Sequence, residues 1–135
     1  MFNKKKQPPI RSLIAEDSEI DGNLRFADGL RIDGKVVGNV SASVDSASIL
    51  VISETATVTG GLIADHIIVN GTVRGPVHAR VMLELQPKAR IEGDVYYTAL
   101  EMHQGAIIDG QLRPGVEEEA KPTLKLAANN SQLNG

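Results

Sequence analysis

One run in the sequence has the spacing of nucleotide chemistry. Gly29-Leu30-Arg31-Ile32-Asp33-Gly34-Lys35 spells GxxxxGK, the backbone of a phosphate-cradling loop. That loop needs Ser or Thr next to hold magnesium, a strand before it and a helix after it. Here Val36 follows, and Leu30 and Ile32 read as inward strand positions, so nucleotide binding is not expected. His66, His78 and His103 are the only histidines, none with a second ligand at metal-binding spacing, and they read as isolated surface residues. Asp21, Asp33, Glu92 and Asp109 each precede a Gly at what read as equivalent bends. A calcium site needs dense oxygen ligation. Thr59 and Asn70 interrupt this row and the calcium-binding nonapeptide GGxGxDxUx is absent, so the carboxylates read as corner caps. Thr55-Ala56-Thr57-Val58-Thr59 has the pattern of one ice-binding rung, but in one place only. Tyr96-Tyr97 puts a single ring outward. No catalytic set emerges, and no cofactor or metal is expected.

The elements that carry these residues repeat. Leu30-Arg31-Ile32-Asp33-Gly34-Lys35-Val36-Val37-Gly38-Asn39-Val40 returns as Ile67-Ile68-Val69-Asn70-Gly71-Thr72-Val73-Arg74-Gly75-Pro76-Val77. Shorter copies are Ile20-Asp21-Gly22-Asn23-Leu24, Val58-Thr59-Gly60-Gly61-Leu62, Ile91-Glu92-Gly93-Asp94-Val95 and Ile108-Asp109-Gly110-Gln111-Leu112. Apolar triplets beginning at Ser12, Leu30, Leu50, Ile67, Leu83 and Leu100 open units spaced 18, 20, 17, 16 and 17 residues apart. Inside a unit, apolar residues alternate, the mark of a strand with one buried face. No apolar spacing of helical period lasts two turns between Ser12 and Gly115, so no helix is expected there.

Short strands joined by bends at such a period make a coil, and coils stack as a parallel β-helix. Six coils at about 4.8 Å each give a rod roughly 30 Å long. Ile14, Ile32, Ile52, Val69, Leu85 and Met102 are expected to form one inward ladder. A lumen so narrow suits aliphatic residues, and the chain has two Phe, two Tyr and no Trp among 135 residues. Gly takes the bends, and Asp, Asn or Thr beside it is expected to bond its own backbone there.

Three segments follow. Residues 1–11 are a basic tail with Lys4, Lys5, Lys6 and Arg11 and no acid, in which Pro8-Pro9 bars helix and sheet pairing. It reads either as a disordered, solubilising end or as a membrane-surface anchor. In the anchor Met1 and Phe2 meet the bilayer and Lys4, Lys5 and Lys6 sit on anionic headgroups. Residues 12–115 are the coil stack. Residues 116–135, with Glu117-Glu118-Glu119 and a polar end, read as a disordered tail. Formal charge is +4, −6 and −1 over the three segments, and the net −3 argues against nucleic-acid binding. With no Cys there is no disulfide framework, which fits a reducing compartment. No apolar run approaches the roughly 18 residues of a membrane span, and no apolar stretch follows the basic start as in a secretory signal.

With Gly22-Asn23-Leu24-Arg25-Phe26, then Leu30 to Val40 as quoted above, the chain resembles the bactofilins over about residues 12–115. Met1-Phe2-Asn3-Lys4 is similar to the family's short membrane-targeting end. The resemblance implies a right-handed parallel β-helix that polymerises without nucleotide into bacterial cytoskeletal filaments. It implies a scaffold at the cytoplasmic face of the inner membrane in shape or polarity control. The implied partners are further copies of the chain, membrane lipid and cell-wall synthesis or hydrolysis proteins. In the family an aromatic before the Gly of the last coil commonly serves the polymer contact. Here that position is Ile108, and Ile107, Ile108 and Leu112 are the expected interface residues.

Physics points the same way. The end coils of a β-helix offer unpaired N–H and C=O groups, and soluble solenoids need polar caps. Pro8-Pro9 and Pro114-Gly115 lead straight into polar tails. The rival reading is a hexapeptide-repeat acyltransferase, also a β-helix. Leu24, Leu30 and Val36 keep its six-residue phase, but Ala42 and Gly38 lose it, and no helical domain or convincing catalytic His accompanies it.

Overall fold

Alternating apolar residues between Gly-marked bends build an all-β solenoid of six coils, seen in a computed structural model that describes residues 8–115. The first coil holds β1 (Ile10–Ile14), β2 (Glu19–Asp21) and β3 (Leu24–Phe26). The second holds β4 (Asp28–Ile32), β5 (Lys35–Val37) and β6 (Val40–Ala42). After β7 (Ser48–Ile52) and β8 (Thr57–Thr59), β9 (Leu62–Val69) runs from the third coil into the fourth, which continues with β10 (Thr72–Arg74). β11 (Val77–Leu85), β12 (Arg90–Glu92) and β13 (Val95–Met102) carry the chain to the sixth coil, which closes with β14 (Ile107–Asp109) and β15 (Leu112–Pro114). Every pairing is parallel, and none of the described residues is helical. A strand therefore follows Gly34-Lys35 where a phosphate loop would need a helix, and Leu30 and Ile32 are buried.

Each coil adds one strand to each of three stacks, and three inward columns fill the lumen. The first is Ile14–Ile32–Ile52–Val69–Leu85–Met102, in the register the triplets predict. The second is Ile20–Val36–Val58–Val73–Ile91–Ile108. The third is Leu24–Val40–Leu62–Val77–Val95–Leu112. Their middle members are at most 1% exposed. Burial of a Val, Leu or Ile contributes about 1.5–3 kcal/mol, so these columns are the main source of stability.

Unequal coil lengths arise at two of the three corners. Between the first and second stacks, Gly34 and Gly71 make a short corner. The other four coils add a turn, closed by bonds such as Ala56 N–H to Ser53 O at 3.0 Å. Between the third and first stacks, residues 43–47 lengthen the second coil. Arg80 and Asp65 hold that loop: Asp65 bonds Arg80 Nε at 2.8 Å and the buried Ser48 through both its N–H and its carboxylate. These insertions break the six-residue phase of a hexapeptide coil.

The corner between the second and third stacks never varies, because glycines stack there. Gly22, Gly38, Gly60, Gly75 and Gly93 have φ between 140° and 156°. A Cβ on Gly60 would lie 2.1 Å from the carbonyl oxygen of Gly38, and one on Gly38 equally close to Gly22 O. The residue after three of these glycines, Gly22, Gly38 and Gly93, links coils through its side chain. Asn23 Oδ1 accepts the Asn39 N–H at 2.9 Å, Asn39 Oδ1 the Gly61 N–H at 2.8 Å, and Asp94 Oδ1 the Gln111 N–H at 3.0 Å. These side chains bond the next coil's backbone, not their own as the sequence suggests, because the next N–H lies one strand spacing away. The bond from Gln111 and that from Arg113 hold the Asp94 carboxyl below its ordinary value.

Candidate functional site

The geometry that sets this rod apart from a closed domain is at its ends. β2 and β14 are the outer strands of one sheet, and β1 and β15 end the other. Among the described residues nothing covers the inward columns there. Met102 is 44% and Leu112 45% exposed, although the residues they stack on, Leu85 and Val95, are fully buried. Ile108, Leu100 and Ala106 are partly buried against the core from the same end. At the opposite end Ile14, Ile20, Leu24 and Phe26 do so, and Ile10 and Leu13 are 46% and 57% exposed. Each end is a cross-section of apolar core ringed by strand edges. Exposed apolar surface rimmed by polar groups marks an interaction site, and open edges template further pairing.

Of the three interface residues expected from sequence, Ile108 and Leu112 terminate core columns. Ile107 instead stands on the outward column of Arg90, Thr72 and Thr57, 51% exposed at the rim of the end coil. Met102 ends the remaining column and completes the surface. Its place in the apolar ladder is legible in the sequence, but its exposure shows only once the described coils are stacked and Met102 stands on the last of them. Met1, Phe2, Lys4, Lys5 and Lys6 lie outside the described residues. Arg11 belongs to β1 and pairs with Asp28 at 3.2 Å.

Other sequence candidates are rearranged by the fold. Asp33 does not share a bend with Asp21, Glu92 and Asp109. The latter three stand on one column with Val37, Thr59 and Arg74, while Asp33 lies at the corner before it. Its carboxyl is lowered chiefly by the hydrogen bond from Arg31 Nε at 2.8 Å. The threonines of β8 face Lys35 and Val37 on one side and Thr72 and Arg74 on the other, so no threonine array forms. Tyr97 packs on the core and Tyr96 faces out, but not alone: its ring stacks on His78 at 5.1 Å and the Arg113 guanidinium lies 5.8 Å from its centre. Nor are the histidines isolated. His103 Nε2 lies 3.0 Å from Glu84 and 3.4 Å from Glu101. Sequence spacing misses this group because Glu84 belongs to the preceding coil.

A comparison with protein-family models decides what kind of rod this is. Residues 12–113 match the bactofilin model, described as polymer-forming cytoskeletal. The chain belongs to the bactofilin family. No curated protein and no solved structure matched it. The match spans all six coils, so the uncovered ends of this bactofilin lie inside the polymer-forming domain. A structural, filament-forming role follows from the family.

Proposed function

We propose that this bactofilin assembles end to end, without nucleotide, into filaments held at the cytoplasmic face of the inner membrane, where they scaffold cell-shape or cell-wall machinery. The observation that carries the reading is the pair of uncovered core cross-sections. Abutting two ends continues all three apolar columns and pairs the strand edges, which no folded cap covers among the described residues. The reading needs no bound nucleotide: Val36 stands where magnesium would need a hydroxyl, and β5 occupies the place of the required helix. Negative-stain microscopy of the purified chain tests it. Filaments should form in nucleotide-free buffer and keep their length when ATP or GTP with magnesium is added. Filaments only with nucleotide, or none at all, reject the proposal.

Membrane attachment is assigned to Met1, Phe2, Lys4, Lys5 and Lys6. Three lysines near an anionic bilayer contribute about 1 kcal/mol each, and burying Phe2 adds roughly 1.5–3 kcal/mol. The sum, about 4.5–6 kcal/mol, corresponds to a dissociation constant weaker than roughly 10 μM. A single chain therefore binds poorly, while a filament displaying many tails binds tightly through effective concentration. With anionic liposomes the full chain should co-sediment, and a chain lacking residues 1–7 should leave its filaments in the supernatant. Undiminished pelleting by the shortened chain would reject the anchor.

A further inference from the structure

Glu84 and Glu101 stand directly opposite each other on adjacent parallel coils. Like charges so placed repel. Six other carboxylates of the described rod meet an Arg or Lys, as Asp94 meets Arg113 at 3.1 Å. Among the described residues Glu84 and Glu101 have no such partner, and the group between them is the His103 imidazole. Its Nε2 is 3.0 Å from Glu84 Oε2 and 3.4 Å from Glu101 Oε2. One ligand atom from each residue lies within 4.8 Å of the others. Gln86 Nε2 contacts the same Glu84 oxygen at 3.5 Å, steadying the carboxylate from the fifth coil's corner.

We propose that Glu84, Glu101 and His103 form a site for a divalent transition-metal cation of the zinc class, bridging the fifth and sixth coils. Zinc binds imidazole nitrogen and carboxylate oxygen at about 2.0–2.2 Å, which in a tetrahedron separates neighbouring ligands by about 3.4 Å. The observed nitrogen–oxygen separations are already at that scale, so side-chain rotation suffices to close the site. The mixed donor set suits zinc, nickel or copper better than magnesium or calcium, which take all-oxygen ligation and higher coordination. Two carboxylates also neutralise the cation, replacing the repulsion between stacked acids with attraction to a shared charge. Three protein ligands leave one position for water. The site does not depend on the filament reading, although it ties down the last described coil.

The test uses the full chain without an affinity tag, dialysed against chelator and titrated with zinc chloride by calorimetry and with cobalt chloride by visible absorption. One saturable equivalent per chain is expected, with a cobalt d–d band. Zinc should slow amide exchange in residues 99–109 and leave the second and third coils unchanged. His103→Ala and Glu84→Gln should each weaken binding at least about 10-fold, since even losing an outer partner of a metal site costs that much. His78→Ala should bind like the parent. No saturable binding up to about 1 mM cation, equivalent to about 4 kcal/mol, would overturn the proposal. So would binding that survives His103→Ala or disappears with His78→Ala.

Discussion

Replacing Ile108 by Arg should leave a folded rod that no longer forms filaments. Ile108 ends the column of Ile91 and Val73 and is only partly covered, because β14 pairs with β12 alone. In a free rod the long Arg side chain can leave the open end and keep its charge in water, so folding loses little. In an abutted junction it would lie between two apolar cross-sections with no partner provided. Burying an uncompensated charge costs several kcal/mol. A loss of about 3 kcal/mol lowers each axial association constant about 100-fold. Circular dichroism should retain the β-type spectrum, while sedimentation and negative stain show short soluble particles. Ile107→Arg should weaken assembly less, because Ile107 sits at the rim with half its surface in water. Long filaments from a folded Ile108→Arg chain would place the axial contact elsewhere.

Gly60→Ala should unfold or severely loosen the middle of the rod. Its added Cβ would lie 2.1 Å from Gly38 O and 2.5 Å from that carbonyl carbon, both backbone atoms with no rotamer to change. Gly60 also has φ of 150°, a conformation that side chains rarely adopt. Two costs therefore add. The backbone conformation alone is worth about 1–3 kcal/mol. Relief of the overlap must push the coils apart at bonds such as Gly38 N–H to Thr59 O at 2.9 Å and Val40 N–H to Gly61 O at 2.9 Å. Gly22 separates the two costs. It has φ of 140°, yet a Cβ there would meet nothing within 4 Å, since Gly22 lies in the first described coil. Gly22→Ala should therefore lose only the conformational cost of about 1–3 kcal/mol. Thermal unfolding of both variants in the assembly-deficient Ile108→Arg background measures the difference on soluble particles. Equal destabilisation would mean that stacking against the coil below does not dictate glycine at this corner.

Sequence alone determined the strands, the coil period, the absence of helix and the inward ladder from Ile14 to Met102. These features are local: side chains alternate across a strand by backbone geometry, and an apolar triplet returning every 16–20 residues leaves stacking as the way to bury itself. The tertiary structure decided what belongs to which corner. Ile32-Asp33-Gly34-Lys35-Val36 and Ile20-Asp21-Gly22-Asn23-Leu24 share one pattern, yet they turn at different corners. In the first, Gly34 fits beneath backbone oxygens of Ala15 and Ser18, and in the second Gly22 starts the invariant glycine column. Only the accumulated register, shifted by the extra turns and by the loop at 43–47, tells them apart. The same holds for the groups brought together across coils, Glu84 with Glu101 and His103, and His78 with Tyr96 and Arg113. Their members lie on neighbouring rungs a strand spacing apart but many residues apart in the chain. The exposure of Met102, Ile108 and Leu112 is likewise tertiary, because an inward position is buried only when another coil covers it.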